Sequence, residues 1–199
     1  MSEARARLLA SASRLFYTEG LHSVGIDRVI ADAGVTRATL YRHFPSKDDL
    51  LVAYLSEADN AIRAQVAAAR TASAGGSPED VVLAVATTIA DGIASPGFRG
   101  CAFLNAAAEY PDPAHPVHRA VLAHRQWFLE TVTDLLAATG ETAAEPAAQH
   151  FVMLRDGAMA AGCLTAPAPI CATFLRGVEG ILRYRDAPVA AGAKRRNRG

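Results

Sequence analysis

The sequence lacks the features that mark membrane, secreted and disulfide-rich proteins. Its three cysteines are an odd number, which does not suit a disulfide framework. The first residues interleave charged and apolar side chains, so no signal peptide is expected. The longest uncharged run, residues 157–175, spans 19 positions but contains Pro167 and Pro169, which interrupt a membrane helix. We therefore expect a cytoplasmic protein that does not enter a membrane.

A surplus of positive charge is also missing. The 20 Lys and Arg residues equal the 20 Asp and Glu residues in number, and residues 1–50 hold seven basic against six acidic side chains. A protein that coats nucleic acid non-specifically needs a larger basic excess. Any DNA affinity must therefore come from basic residues placed on one face, which favours a modular and dimeric DNA reader.

Signatures of catalysis and of cofactor binding are absent as well. We find no nucleotide-binding glycine loop, no nucleophile elbow and no His/Cys cluster with metal-ligand spacing. His115, His118 and His124 fall in one region, but their spacing of 3 and 6 does not close a helical metal site. We expect no enzyme, no metal ion and no cofactor.

The most informative stretch is residues 26–47, IDRVIADAGVTRATLYRHFPSK, which predicts two short helices joined by a tight turn. Apolar residues at i, i+3 and i+4 give the first helix one buried face. Gly34 suits its end, because glycine adopts a left-handed conformation without a Cβ penalty. Thr36 is a favourable N-cap for the second helix. Two helices joined in this way are typical of a helix-turn-helix.

The second helix would direct Leu40 and Phe44 into the core and leave small, polar and basic residues outside. A recognition helix needs small residues for close approach to the groove, an arginine for a base edge, and hydroxyls or cations for phosphates. Arg37 is predicted to read a guanine edge and Lys47 to hold a phosphate. The full predicted set of DNA-binding residues is Arg28, Thr36, Arg37, Ala38, Thr39, Tyr41, Arg42, His43 and Lys47.

The stretch GVTRATLYRHFPSKDDLL resembles the DNA-binding signature of the TetR family of transcriptional repressors, in which a short helix ending in Tyr-x-x-Phe leads into a long helix opened by Ser-Lys. The matching residues are Gly20, Ile26, Ala31, Gly34, Val35, Thr39, Leu40, Tyr41, Phe44 and Lys47. The resemblance covers about the first quarter of the chain. It implies a homodimeric repressor that binds a palindromic operator in double-stranded DNA and is released by a small, largely apolar effector.

Helical periodicity continues along the chain, and strand-like alternation is absent. We predict an all-α fold of about nine helices, divided into a helix-turn-helix domain (1–46), a helical effector-binding and dimerisation domain (47–188) and a basic, disordered tail (189–199). A helix from Ser46 to about Thr71 would be ~40 Å long and could carry a remote change to the DNA-reading part. After a TAPAP turn, the last helix is expected over about Ile170–Arg185.

The last two helices carry few charges and many small residues, which let helices approach closely. Paired with their symmetry mates they would form a four-helix dimer interface, the place where the TetR family dimerises. The alternative is an ordinary core within one chain. The residues that mark these helices are Ala158, Ala160, Ala161, Ala172, Leu175, Gly177, Val178, Gly180 and Ile181.

Aromatic and polar residues in the second domain indicate an effector cavity, because ligand sites are mostly apolar with a few placed polar groups. Each of these residues could instead belong to the core. Asn105 lies on a short apolar helix, where a buried amide needs either a ligand or a backbone carbonyl as its partner. The candidates are Phe98, Phe103, Asn105, Glu109, His124, Trp127, Phe128, Phe151 and Arg155.

Cys101 supports a second hypothesis. It stands at the expected N-terminus of that short helix and beside Arg99, and both features favour the reactive thiolate. Oxidation or alkylation there would shift the helix and release DNA, whereas the alternative is a small buried residue with no such role. A third hypothesis, of another class, is a helical small-molecule-binding protein or enzyme with a vestigial helix-turn-helix.

Overall fold

The computed structural model describes residues 2–184, which form nine α-helices and no β-strand. The prediction of an all-α fold is confirmed, while the predicted tail (189–199) lies outside the described residues. No helix within that part of the chain is long and apolar enough to cross a membrane. The helices are α1 (Glu3–Glu19), α2 (Ile26–Ala33), α3 (Arg37–His43), α4 (Lys47–Ala72), α5 (Pro78–Ala94), α6 (Ala102–Glu109), α7 (Pro116–Ala138), α8 (Ala144–Ala161) and α9 (Pro167–Tyr184).

Local sequence signals set the helix ends. The Ser46 hydroxyl accepts a hydrogen bond from the amide of Asp49 at 3.1 Å and so caps α4. Ser77 and Asp80 form a reciprocal capping box at the start of α5. Gly34, with a φ of +62°, ends α2 in the left-handed conformation that its lack of a Cβ permits.

The start of α9 differs from the prediction. The helix begins at Pro167 rather than near Ile170. The first turn of a helix has amide hydrogens with no intrahelical acceptor, so Pro167 and Pro169 cost nothing there. Its predicted last residue, Arg185, lies outside the described residues.

The buried apolar residues form two clusters, and α4 contributes to both. One contains α1–α3, the first half of α4, and residues of α6 and α7. The other contains the far half of α4 together with α5, α7, α8 and α9. Because Cys101, Phe103, Ala106 and Tyr110 belong to the first cluster, α6 packs directly on the helices that present the helix-turn-helix. The domain boundary at residue 46 stays a prediction.

Candidate DNA interface and effector cavity

Helix α3 is held by one buried side and one cap. Leu40 and Phe44 are buried in the first cluster, and the guanidinium of Arg5 lies 5.1 Å from the centre of the Phe44 ring. The Thr36 hydroxyl accepts from the amide of Thr39 at 3.2 Å, which satisfies one of the orphan donors of the first turn. The opposite side of α3 therefore faces outward in a fixed orientation.

That outward side collects most of the predicted DNA-binding residues. Arg37, Ala38, Tyr41 and Arg42 are exposed. The guanidinium of Arg37 pairs with the carboxylate of Asp27 on α2, and both side chains are more than half exposed. An ion pair in water contributes little to stability, so this arginine can exchange its partner for DNA at small cost.

Three other predicted residues, Arg28, His43 and Lys47, already have partners within the chain. Arg28 pairs with Glu19 at 3.4 Å, and the Nε2 atom of His43 lies 3.1 Å from the Ser2 hydroxyl. Lys47 is partly buried, with its Nζ atom 3.5 Å from the carbonyl oxygen of His22. Burial lowers the pKa of Lys47. Lys47 thus contacts the α1–α2 loop, whichever DNA contact it makes in addition.

The N-terminal end of α6 is tied to α1. The Tyr17 hydroxyl donates to the carbonyl oxygen of Gly100 at 3.0 Å and accepts from the amide of Arg99 at 2.9 Å. The guanidinium of Arg99 donates to the carbonyl oxygen of Thr18 at 3.2 Å. Burial raises the pKa of Tyr17, so its hydroxyl stays protonated and able to donate.

The C-terminal end of α6 is tied to the α1–α2 loop. The carboxylate of Glu109 accepts from the amides of Leu21 at 2.9 Å and His22 at 2.6 Å. The backbone carbonyl oxygen of Glu109 lies 2.8 Å from the Nε2 atom of His22. Gly20, with a φ of +96°, turns the chain so that this loop meets the carboxylate. We call these contacts, together with those of Tyr17 and Arg99, the α6 clamp.

Four of the predicted effector residues meet at one cavity. Phe103 of α6, His124 and Phe128 of α7, and Arg155 of α8 all line it. The imidazole of His124 stacks on the Phe103 ring, with 3.6 Å between centroids. The structure therefore brings together two aromatic rings, an imidazole and a guanidinium from three helices.

His124 is oriented from the opposite side by α4. Its Nδ1 atom lies 2.7 Å from Oδ1 of Asp59, and the other carboxylate oxygen, Oδ2, accepts from Nε of Arg63 at 2.6 Å. Although burial acts in the other direction, hydrogen bonds from His124 and Arg63 lower the pKa of Asp59 and keep it ionised. Burial lowers the pKa of His124, against the influence of Asp59. The neutral imidazole thus carries its proton on Nδ1 and donates it to Asp59.

Arg155 is buried and connects the cavity to α6. Its Nη1 donates to Asp156 at 2.9 Å, and its Nη2 donates to the sulfur of Cys101 at 3.3 Å. The expectation that Arg99 is the cation beside Cys101 was wrong, because the Arg99 guanidinium reaches α1 instead. Cys101 is itself buried at the N-cap of α6.

The remaining effector candidates lie elsewhere. Asn105 is exposed and donates to the carbonyl oxygen of Arg99 at 3.1 Å, so the idea of a buried amide was wrong and its partner is backbone. Glu109 belongs to the α6 clamp. Trp127 stacks under Arg63 outside the cavity, and Phe151 packs in the core against Phe128 and Phe174. Phe98 lies against Gly162.

Sequence reasoning missed Tyr17, Asp59 and Arg63. Asp59 carried a detectable signal, because it stands among the inward-facing apolar residues Leu55, Ala58 and Ile62 of α4. A carboxylate on such a face needs a buried partner. Tyr17 gave no comparable signal, since its partners are 82 and 83 positions away.

Comparison with known proteins identifies the family. The family model for bacterial regulatory proteins of the tetR family matches residues 8–54. The chain is 67% identical to SCO4454, a TetR-family transcriptional regulator from Streptomyces coelicolor, over 94% of this chain and 98% of that one, with a TM-score of 0.90. The chain belongs to the TetR family of transcriptional regulators. Membership confirms the predicted helix-turn-helix and the prediction that the protein is not an enzyme.

Two further TetR-type relatives are more distant or matched over less of their length. A structure of sav143 from Streptomyces avermitilis is 29% identical over 89% of this chain and 99% of that one, with a TM-score of 0.74. The transcriptional activator FasR from Mycolicibacterium smegmatis is 40% identical over 70 residues, which are 35% of this chain and 32% of FasR. The chain thus spans about a third of FasR, and that match is confined to a short segment.

The α6 clamp leads to a first prediction. In Glu109→Ala the amides of Leu21 and His22 lose their acceptor, so we expect them to exchange hydrogen with solvent faster, by about tenfold or more. Amide exchange measured by mass spectrometry should show this in the α1–α2 loop and no change in α8. Glu57→Ala, an exposed carboxylate of α4, is the matched control. Unchanged exchange at Leu21 and His22 would contradict the assignment.

Proposed function

We propose that the protein is a homodimeric repressor that binds a palindromic operator and leaves it when a small, largely apolar effector enters the cavity beside α6. The observation that carries the proposal is the outward side of α3, with its small, hydroxyl and basic residues in a fixed orientation. Such a regulator acts in the cytoplasm, where operator DNA is found. FasR is called an activator, so the sign of regulation is part of what must be tested.

In this proposal Arg37 reads a guanine edge in the major groove, with Thr39 and Arg42 beside it. Residues around the helix contact phosphates and fix its register without reading sequence. The phosphate contacts are Arg28, Thr36, Tyr41, His43 and Lys47, with Ala38 permitting close approach. The exposed pair between Arg37 and Asp27 supports this role, because it keeps the guanidinium extended at the surface until DNA replaces the carboxylate.

The outer face of α8 and α9 is proposed as the dimer interface. Met153 on α8 and Leu164 in the α8–α9 connection are 69% and 83% exposed, which is unusual for large apolar side chains. Part of the small-residue pattern serves the chain itself, because a Cβ at Gly177 would lie 2.8 Å from Leu154. In a dimer joined through this face, the two DNA-binding domains would bind half-sites about 34–36 Å apart, or a multiple of that distance.

The effector is proposed to act through the α6 clamp. A molecule among Phe103, His124 and Arg155 touches α6 from inside, while Tyr17 and Glu109 hold the same helix to the DNA-binding helices. A shift of α6 therefore changes the orientation of the helix-turn-helix in each protomer. The distance between the DNA-binding domains of the two protomers then changes as well. The affinity for an operator with a fixed half-site spacing changes with it.

A gel shift on the upstream region of the protein's own gene, at two salt concentrations, tests DNA binding. We expect a discrete complex that weakens at the higher salt concentration. Arg37→Ala should reduce discrimination between operator and mismatched duplex by about 1–3 kcal/mol, while Lys47→Ala should weaken binding to all duplexes alike. Arg70→Ala, an exposed cation at the far end of α4, should change neither. Equal losses on every duplex from both variants would refute the assigned roles.

The dimer interface has its own test. Met153→Glu places a charge on the exposed outer face of α8, so we expect a shift from dimer to monomer in sedimentation velocity and loss of operator binding. Leu122→Glu introduces the same charge at an exposed leucine of α7, outside α8 and α9, and should leave the dimer intact. A dimer that survives Met153→Glu would place the interface elsewhere.

A second candidate function is a sensor of oxidants or electrophiles at Cys101. It is favoured by one observation, the 3.3 Å contact in which Nη2 of Arg155 donates to the Cys101 sulfur. Modification would break this contact at the N-cap of α6. In this case N-ethylmaleimide should release operator DNA from the wild-type protein and from Cys163→Ser, but not from Cys101→Ser. Release that persists in Cys101→Ser excludes the sensor.

A further inference from the structure

We propose that the cavity beside α6 binds a small carboxylic acid, with Arg155 and His124 holding the acid group. This inference rests on the proposed function, because it assigns a chemical class to the effector of the same cavity. Its basis is a pair of buried nitrogen atoms that the protein leaves without partners.

The two atoms are Nε2 of His124 and Nε of Arg155. Only 4% of His124 and 6% of Arg155 are exposed, yet neither atom has a hydrogen-bond partner within residues 2–184. Three buried side-chain atoms are orphaned in this way in that part of the chain, and two of them belong to residues that line this one cavity. Buried polar groups are nearly always paired, so two orphans at one cavity indicate a bound group.

The charges around the cavity favour an anion. Three guanidinium groups, those of Arg63, Arg125 and Arg155, face two carboxylates, those of Asp59 and Asp156. The neutral His124 adds no charge, and the surface that α6 contributes to the cavity is the uncharged rings and chains of Phe103 and Leu104. One positive charge therefore remains without a counter-charge.

A carboxylic acid satisfies both orphan atoms and this charge. One of its oxygens accepts from Nε–H of Arg155, which is always charged. The other oxygen shares a hydrogen bond with Nε2 of His124, whose Nδ1 proton is held by Asp59. If the ligand arrives as a carboxylate, His124 takes up a proton from solvent, so that the imidazolium lies between Asp59 and the ligand. An amine would meet Arg155 as a like charge.

A second cavity gives the body of the ligand an apolar place. It shares Phe128 and Arg155 with the first cavity and is otherwise lined mainly by apolar residues of α4 and α5, with Met159 of α8. The polar cavity measures about 20 Å³ and the apolar one about 70 Å³. The first has room for one small polar group, so the body of the ligand must lie in the second. These volumes limit the class to short aliphatic or single-ring acids.

The acid group would sit directly on the connection to α6. Arg155 holds the sulfur of Cys101 at the N-cap of that helix, and His124 stacks on Phe103 within it. Any movement of either residue toward a ligand therefore acts on α6 close to the contact between Tyr17 and Gly100.

The test is calorimetric titration of the full-length protein with hexanoate and phenylacetate, and with hexanol and 2-phenylethanol as uncharged matches. We expect at least one acid to bind, and its alcohol to bind at least about tenfold more weakly. The heat should differ between buffers of different ionisation enthalpy, because His124 takes up a proton.

Variants separate the two nitrogens from general packing. Arg155→Met removes the charge, and His124→Phe removes Nε2 while keeping a ring against Phe103. Each should weaken acid binding by about tenfold or more, while alcohol binding stays unchanged. Arg119→Met, an exposed cation on α7, is the matched control and should bind like wild type. Operator binding by each variant shows that the variant folds. If Arg155→Met does not fold, His124→Phe alone provides the test.

Three results would overturn the inference: no binding of either acid, equal affinity for acid and alcohol, or acid binding that survives both variants. Failure of the acids to bind, with an intact operator complex, removes the inference and leaves the DNA-binding proposal standing. Acid binding that does not alter operator affinity keeps the site and removes the proposed release mechanism.

Discussion

Helix α6 is attached at both of its ends to the part of the chain that carries the helix-turn-helix. Tyr17 holds the backbone just before the helix, and Glu109 holds the loop that leads into α2. The helix has only eight residues and packs Phe103 and Ala106 into the same apolar cluster as α1 and α3. A short rigid element fixed at two points cannot absorb a displacement internally, so it passes a displacement on to the DNA-binding helices.

The side of the same helix that faces the cavity is arranged around buried polar groups. Arg155 and His124 come from different helices and are each held by a carboxylate, Asp156 and Asp59. Burying these groups is costly, and well-packed apolar residues would serve stability at least as well. Charged groups retained at a cavity, in contact with Cys101 and Phe103 of the helix that leads to the DNA-binding domain, are more readily explained by recognition and signalling than by stability.

The helices could be predicted from the sequence because their ends are set by local chemistry, as at Ser46 and Ser77. The helix-turn-helix could be predicted equally well from the sequence, since its cap, its left-handed glycine and its apolar spacing lie within a few residues of one another. The cavity and the α6 clamp could be predicted only in part from the sequence. Their decisive polar contacts join positions 54 to 88 residues apart, and no local pattern indicates which polar residue meets which. The prediction that Asn105 is buried was wrong for the same reason. Its neighbours in the sequence are apolar, but its side chain is exposed.

The most direct test of the account is the coupling between cavity and operator when the α6 clamp is removed. An operator selected from a random duplex pool would be titrated with wild type and with the double variant Tyr17→Phe, Glu109→Ala, each with and without saturating hexanoate or phenylacetate, whichever acid binds. We expect the acid to lower the operator affinity of the wild type by about 5- to 150-fold. We expect little change in the operator affinity of the double variant, although that variant still binds the acid. An equal loss of operator affinity in both proteins would contradict the role given to α6.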